Sequence, residues 1–552
     1  MTQTAPLPEG FKPPLDMFYQ WEQQQPENTW LRQHDGQQWR DFSWADVGRM
    51  ARQLAAGLLA EGLEAGDRVG LYAENSAHWV IADVAIMMAG LVSVPIYTSM
   101  PEDKIRYVVD HSGMKLLLVG DQCALSVAQV SEAFSAHTRV KGMGLQGSDW
   151  QTLCDQAESL VGNPQPNADD LWSIAYTSGT TGKPKGVLHS FNTLASSVFD
   201  IQQLSETDSD SRFFSYLPLA HIAERSVVEL HSLYSGGMVG FNRSKESFVE
   251  DLLEIQPTFF FSVPRIWANL KAGIVAKLGE AVWQRCIDEP EFGAATGKQV
   301  LASMGLDKIK LALTGSAPIP PSDIIAWRCL GMPLCEGFGQ SESMSSCFNR
   351  IDNFKVGSIG LPLSERTEVT VSDKGEMLLR SPGNMLGYYK APDKTAETIV
   401  DGWIHTGDKA RIDEDGFVFI IGRVKDIFKT AKGKYVAPAP IENKFALFTG
   451  VEQCCLVGLG MPQTMMLTVL ADGVEFTPTL HADLQAHMHA LNEALEVHER
   501  MSHIIVCREP WSIENGLLTH TLKVLRDDVE KHYQTSLQKA MAGDDCVYWE
   551  TS

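Results

Sequence analysis

Between Tyr176 and Val187 the chain reads Tyr-Thr-Ser-Gly-Thr-Thr-Gly-Lys-Pro-Lys-Gly-Val, with no hydrophobic period. Glycines at 179, 182 and 186 let the backbone turn its N–H groups inward as an anion nest. The hydroxyls of Thr177, Ser178, Thr180 and Thr181 add donors, and Lys183 and Lys185 add positive charge. This is the chemistry of a polyphosphate cradle, with Thr177, Ser178, Gly179, Thr180, Thr181, Gly182 and Lys183 as the expected contacts. It is not a Walker A loop: Gly179 and Gly182 stand too close, and Pro184 occupies the place of the Ser or Thr. Nor is it the G-x-G-x-x-G of a dinucleotide fold. Three further residues carry chemistry only if their surroundings do. His221 alone reads as a packed histidine, Glu342 as a solvated acid after a turn, and Lys523 as a solvated charge before a helix. No G-x-S-x-G is present, so a hydrolase reading has no support.

The elements that must position these groups are partly legible. Leu171–Tyr176 is a short apolar run that reads as a buried strand leading into the cradle. Upstream, Ser43 caps a helix from Trp44 to about Glu61, with Val47, Met50, Ala51, Leu54 and Leu58 on one face. Strand Arg68–Tyr72, helix Ala77–Ala89, strand Leu91–Ile96, helix Pro101–His111 and strand Lys115–Gly120 then alternate. That is the pattern of a parallel sheet covered by helices. Leu311–Pro318 reads as a strand ending in a Gly-Ser-Ala turn, and a second short strand, Pro333–Cys335, precedes Glu336-Gly-Phe-Gly-Gln-Ser-Glu342. In a parallel sheet ligands sit at the carboxyl ends of strands. Residues 1–40 are polar and read as an irregular lead-in. The apolar stretches 226–241 and 258–267 read as core strands and helices. Near the end, a helix over about Leu484–Glu499 carries His487, His489 and His498 as surface residues.

Composition sets the outer limits. At 552 residues the chain exceeds one core, so at least two domains are expected. A net charge of −23 argues against nucleic acid and against broad adhesion to anionic lipid. Ten cysteines without C-x-x-C spacing read as reduced thiols of a cytoplasmic protein. The N-terminus lacks the pattern of a signal peptide, and the longest apolar stretch, Val80–Tyr97, is broken by Asp83, Gly90 and Pro95.

The twelve-residue loop resembles the signature of the adenylate-forming superfamily, and further segments extend the likeness over roughly residues 40–535. These are Leu217-Pro-Leu-Ala-His221, Gly315-Ser-Ala317, Glu336-Gly-Phe-Gly-Gln-Ser-Glu342, Gly402-Trp-Ile-His-Thr-Gly-Asp408, Gly422-Arg-Val-Lys425 and Leu518-Thr-His-Thr-Leu-Lys523. The long-chain fatty acyl-CoA synthetase branch is the nearest in character. The resemblance implies an α/β fold: a large N-terminal domain of layered α/β subdomains (1–424) and a small mobile α+β C-terminal domain (425–552). It implies that Gly315, Ser316 and Ala317 pack on adenine, and that Glu336, Gly337, Phe338, Gly339 and Ser341 continue the nucleotide site. Thr177 and Glu342 would hold Mg²⁺, Asp408 and Arg423 the ribose. His221 would line the site near the reacting carboxylate, Lys425 would be the hinge, and Lys523 the lysine of adenylation. The resemblance also implies, as the alternative to core, that part of 226–241 and 258–267 walls an acyl tunnel. Three departures stand out: Ser341 replaces the usual Thr, Leu522 the usual Gly before the lysine, and the lysine-rich segment Phe428–Pro438 the common Ser-Gly-Gly-x-x-Val. The implied reaction joins a long- or medium-chain fatty acid to ATP as an acyl-adenylate, then to CoA. An acyl-AMP ligase, an aryl- or other-acid CoA ligase, and a non-enzymatic acyl- or nucleotide-binding homologue are the alternatives. The expected partners are the acid, ATP with Mg²⁺, and CoA, with peripheral membrane contact and a homodimer as further expectations.

Overall fold

The computed structural model describes residues 11–121, 123, 125–134, 138–143, 148–177, 183–471, 473–475, 477–519, 523–543 and 545–550. The chain forms two compact units. The first comprises Met1–Val369 and Leu379–His405, the second Thr370–Leu378 and Thr406–Ser552.

In the first unit the lead-in is ordered structure, which corrects the irregular reading. Pro14–Gln24 is a helix, and strands Thr29–His34 and Trp39–Ser43 form an antiparallel pair. Asp35 shapes their turn by accepting from the backbone N–H groups of Gln37 and Gln38. Buried rings account for the difference. Trp30 stacks on Trp44 with centroids 4.3 Å apart, and Phe18 packs against both. Three aromatic side chains outweigh a polar majority around them. Ser43 caps helix Trp44–Ala60 through a reciprocal capping box with Asp46, a feature that contributes about 1 kcal/mol.

A seven-stranded sheet carries the cradle. Strands Arg139–Met143, Leu116–Gly120, Arg68–Tyr72 and Val92–Ile96 run parallel, and Val92–Ile96 meets Leu171–Thr177 in parallel at Ser93 and Ser173. Leu171–Thr177 then pairs antiparallel with Lys185–Ser190, and Gly387–Tyr388 closes that edge. A second sheet runs from Phe259–Ser262 through Leu311–Thr314 to Leu334–Gln340, parallel throughout, before Met344–Phe348 turns back antiparallel. The strand expected to stop at Cys335 therefore continues through the Gly-Phe-Gly motif, because the hairpin partner supplies the hydrogen bonds. The stretches 226–241 and 258–267 pack as core: a π-helix over Arg225–Leu230, the strands Met238–Phe241 and Phe259–Ser262, and a buried Trp267.

Arg225 lies inside this core between two carboxylates, Asp83 and Glu229. Arg225, 1% exposed, donates to Asp83 at 2.6 Å and to the Ser173 hydroxyl at 2.7 Å, with its guanidinium 4.1 Å from the Trp172 ring centre. Burial and the Asp83 charge push the Glu229 carboxyl, 3.3 Å from Arg225, well up. Through Ser173 and Asp83, Arg225 fastens the helix that follows His221 to the strand leading to the cradle and to the helix Ala77–Met88.

The second unit has its own sheet, in the order Val451–Val457, Thr464–Leu470, Met501–Cys507, Val547–Trp549. Strand Trp403–Ile412, which enters this unit at Thr406, pairs antiparallel with Val418–Arg423, and Phe428–Lys429 with Tyr435–Val436. Helix Pro478–Glu493 ends before His498, which sits in a turn and not on the helix as expected. His487 is not a free surface residue either: its ring packs on Phe445 and Phe448, and its Nε2 lies 3.2 Å from the Phe445 carbonyl. The ten cysteines are free, six of them buried. Among the described residues no helix is long and apolar enough to cross a membrane.

Candidate functional site

The cradle is rooted in a hairpin. Thr177 ends its strand opposite Lys185, and Tyr176 lies opposite Gly186. A side chain at 186 would press within 2.7 Å of Ile174, so the two strands meet closely here. Ser178, Gly179, Thr180, Thr181 and Gly182 lie outside the described residues. Lys183 emerges exposed, its ammonium 5.4 Å from the Tyr107 ring centre, and the Lys185 ammonium lies 4.8 Å from that of Tyr388.

Glu342 occupies the turn of the Leu334–Gln340/Met344–Phe348 hairpin, half-buried. The Tyr388 hydroxyl donates to its Oε1 at 2.7 Å. Its backbone carbonyl accepts from the Met385 N–H, and the preceding Ser341 carbonyl lies 2.8 Å from His189 Nε2. Burial lowers the pKa of His189 to about 4, so the ring is neutral and donates through Nε2–H. Tyr388 and His189 were not among the expected site residues. The only sequence signal for them was position: one follows the Met-Leu-Gly run, the other lies on the strand leaving the cradle. The Glu342 carboxylate, one oxygen steadied by a tyrosine, and the Thr177 hydroxyl are each oxygen donors of the kind that suits Mg²⁺ bound jointly with phosphates. Among the described residues no cluster of three or more His, Cys, Asp or Glu could hold a metal by itself.

Gly315, Ser316 and Ala317 follow strand Leu311–Thr314 as a tight turn. Ser316 sits at φ +67, a left-handed conformation that costs a non-glycine residue energy and recurs at ligand sites. Gly315 lies against Gly337, where an added side chain would come within 3.1 Å of the Gly337 carbonyl. Glu336 is buried, and burial pushes its carboxyl up to about 8 although the Ile319 N–H donates to it. Its Oε2 has no hydrogen-bond partner among the described residues. Phe338 is half-buried and Gly339 exposed. No side chain fits at 337 or 339, where an added Cβ would collide with the Phe348 ring and the Met344 carbonyl respectively.

His221 caps the short helix Ile222–Glu224 by accepting from the Ala223 N–H at Nδ1, and its ring meets Tyr97 edge-on. Three residues on, Glu224 is buried, accepts from Ser215 and from the Tyr216 N–H, and is pushed up to about 8 by burial.

The remaining expected residues belong to the second unit. Asp408 is buried in its strand and pairs with Arg423 at 2.9 Å, the two facing each other across the ladder. Lys425 follows in an exposed turn. Lys523 is exposed, its N–H donating to the Thr519 hydroxyl and its carbonyl accepting from the Thr519 N–H. Three residues later Arg526 grips Glu442 with both arms, at 2.6 and 3.0 Å, and donates to the Leu456 carbonyl.

The chain is similar to known proteins over most of its length. Among relatives, the "Long chain acyl-CoA synthetase 7, peroxisomal" of Arabidopsis thaliana is 29% identical over 91% of this chain and 82% of its own length. The "Long-chain-fatty-acid--CoA ligase FadD15" of Mycobacterium bovis is 27% identical, with 91% and 92% covered. Of solved structures, the anthranilate CoA ligase AuaEII in complex with anthranoyl-AMP aligns at TM-score 0.79 and 20% identity, covering 97% and 99% of the two chains. ATP-bound MatB from Rhodopseudomonas palustris aligns at TM-score 0.76 and 22% identity, covering 94% and 99%. These likenesses establish the α/β acyl-CoA synthetase-like fold. The family model described as "AMP-binding enzyme" matches residues 18–389, and the chain belongs to that family.

Proposed function

We propose that the chain is an AMP-forming fatty acid–CoA ligase acting on long- or medium-chain acids. The observation that carries the reading is the braced carboxylate of Glu342 in the same unit as the root of the polyphosphate cradle, in a chain whose relatives are named long-chain acyl-CoA synthetases over some nine-tenths of its length. An oxygen of the acid attacks the α-phosphorus of ATP, the bond to the β-phosphate oxygen breaks, and pyrophosphate leaves. The CoA thiolate then attacks the acyl carbonyl, and AMP departs with the electron pair. Two anions must meet in the first step, so the barrier is largely electrostatic. Glu342 and Thr177 would hold Mg²⁺, which would supply positive charge to offset that of the leaving group. The cradle residues Thr177 to Lys183 orient the phosphates, and the Gly315–Ala317 turn with Glu336–Ser341 seats the base. Asp408 accepts from the ribose hydroxyls beside Arg423, and His221 lines the place of the reacting carboxylate.

Lys523 supplies positive charge to the first step only. With residues 1–424 and 425–552 as the moving bodies and Lys425 as the hinge, it withdraws before the thiol enters. Domain motion of this kind excludes water from a labile anhydride while one site serves two reactions. The reading extends to a cytoplasmic protein that meets its acid at a membrane surface, where such acids partition, and that pairs as a homodimer.

The test is pyrophosphate release with ATP, Mg²⁺ and a panel of acids from acetate to stearate, with aryl and amino acids, with and without CoA. CoA-dependent turnover of a long or medium acid is the expected result. Release without a CoA thioester would make the protein an acyl-AMP ligase, and silence across the panel would make it a binding protein.

A further inference from the structure

Asn75 stands in the turn between strand Arg68–Tyr72 and helix Ala77–Met88, at the carboxyl end of a strand of the seven-stranded sheet. Its amide reaches a segment 140 residues further along the chain. Nδ2 donates to the Ser215 hydroxyl at 2.9 Å and to the Leu217 carbonyl at 2.6 Å, and Oδ1 accepts from the Leu219 N–H at 2.9 Å. An amide carries a donor and an acceptor side by side, which is what a carbonyl and an N–H two residues apart require. Ser215 ends strand Arg212–Ser215 of the separate four-stranded sheet, and the loop that leaves it runs through Leu217 to His221. Asn75 therefore ties together the carboxyl ends of strands from two sheets, the edge at which ligands sit.

Other bonds shape the same loop. The Ser215 hydroxyl donates onward to Glu224, which also accepts from the Tyr216 N–H, and the His221 N–H donates to the Pro218 carbonyl. The residue before Asn75 works on the opposite side of the His221 ring. Glu74 accepts from the Thr98 hydroxyl at 2.5 Å, and Thr98 follows Tyr97, whose ring meets His221 edge-on. One two-residue turn thus holds both segments that bring these rings together. His221 Nδ1 accepts from the Ala223 N–H, so the ring's proton is on Nε2, a donor that a carboxylate can accept from.

We propose that Asn75 is a positioning residue of the acid site: it fixes the Leu217–His221 loop so that the His221 ring meets the carboxylate of the acid at one geometry. The inference rests on the ligase reading for what His221 faces. Asn75 acts through the loop and not on the substrate. A displacement of about 1 Å in a group that orients a reactant costs about a hundredfold in rate, so a clamp of this kind matters without touching the chemistry. The strand that leads to the cradle, Leu171–Thr177, lies two places away in the sheet, which separates the effect on the acid from any effect on ATP.

The test titrates sodium laurate, and separately ATP, into the full chain by calorimetry. The variants are Asn75→Ala, Asn75→Asp, His221→Ala, and each Asn75 change combined with His221→Ala. Asn75→Asp keeps the acceptor for Leu219 and sets an oxygen against the Leu217 carbonyl. Alone, both Asn75 changes are expected to weaken laurate at least about fivefold, with ATP moving less than about twofold. In the His221→Ala background the same changes should cost less than about twofold, because the residue they act through is gone. A merely structural role would lower both ligands and would persist without His221. Laurate indifferent to both Asn75 changes, laurate and ATP falling together, or the full loss recurring in His221→Ala would each overturn the proposal, as would an unaltered chain that binds no laurate. Asn75→Asp is close in shape and serves should Asn75→Ala fail to fold. Binding is read without turnover: an Asn75-dependent laurate site in a protein that releases no pyrophosphate would sink the ligase reading and leave the clamp, and turnover with a site indifferent to Asn75 would do the opposite.

Discussion

Glu342 in the first unit and Lys523 in the second are the two charges the proposed reaction needs most, and the fold holds them in opposite ways. Glu342 is braced at every level: its carboxylate by Tyr388, its carbonyl by the Met385 N–H, the residue before it by a neutral buried His189. Lys523 stands exposed on a turn closed by Thr519, with an anchor at Arg526 and Glu442. A group that must stay at one geometry through both half-reactions gains from a rigid surround. A group that must arrive and leave gains from a solvated tip on a fixed base. The difference teaches that preorganisation here is divided between the side chain itself and the stem behind it.

Removing the mobile charge gives the largest effect. Lys523→Ala is expected to slow pyrophosphate release about a thousandfold, while thioesterification of supplied acyl-AMP changes less than about tenfold. Equal loss in both assays would remove the distinction between the two charges. Cutting the stem comes next. Arg526→Met leaves Glu442 without its partner and should cost about 3 kcal/mol, read as faster hydrogen exchange at the amides of Leu456 and Leu525. If those amides stay protected, the loop is held by something other than the ion pair. On the braced side, Tyr388→Phe removes a hydrogen bond to a charged group and should raise the Mg²⁺ needed for half-maximal turnover about tenfold. An unchanged requirement would show that the hydroxyl does not position Glu342.

The smallest change in turnover is expected six residues before Glu342. Glu336 is carried by burial to about 8, so it is protonated in the folded protein and ionised in the unfolded chain between about 4.5 and 8. Unfolding therefore releases a proton across that window, and stability falls as pH rises through it. Glu224 contributes in the same direction. Glu336→Gln imitates the neutral acid: activity at neutral pH should change less than about twofold, while the fall of stability with pH becomes shallower. An unaltered slope would mean that Glu336 is ionised when folded.

By itself the sequence determined what depends on neighbours along the chain. The glycine, hydroxyl and lysine content of 177–186 defined polyphosphate chemistry, the Ser43 cap placed its helix, and alternating apolar runs foretold the parallel strands. These signals are local because turns, caps and periodicity are set within a few residues. The tertiary structure alone decided which distant groups meet. Tyr388 reaches Glu342 across 46 residues, Arg526 reaches Glu442 across 84, and the rings of Trp30 and Trp44 turn a polar lead-in into sheet and helix. Such contacts depend on strand order and on which faces are buried, and no spacing in the sequence encodes either.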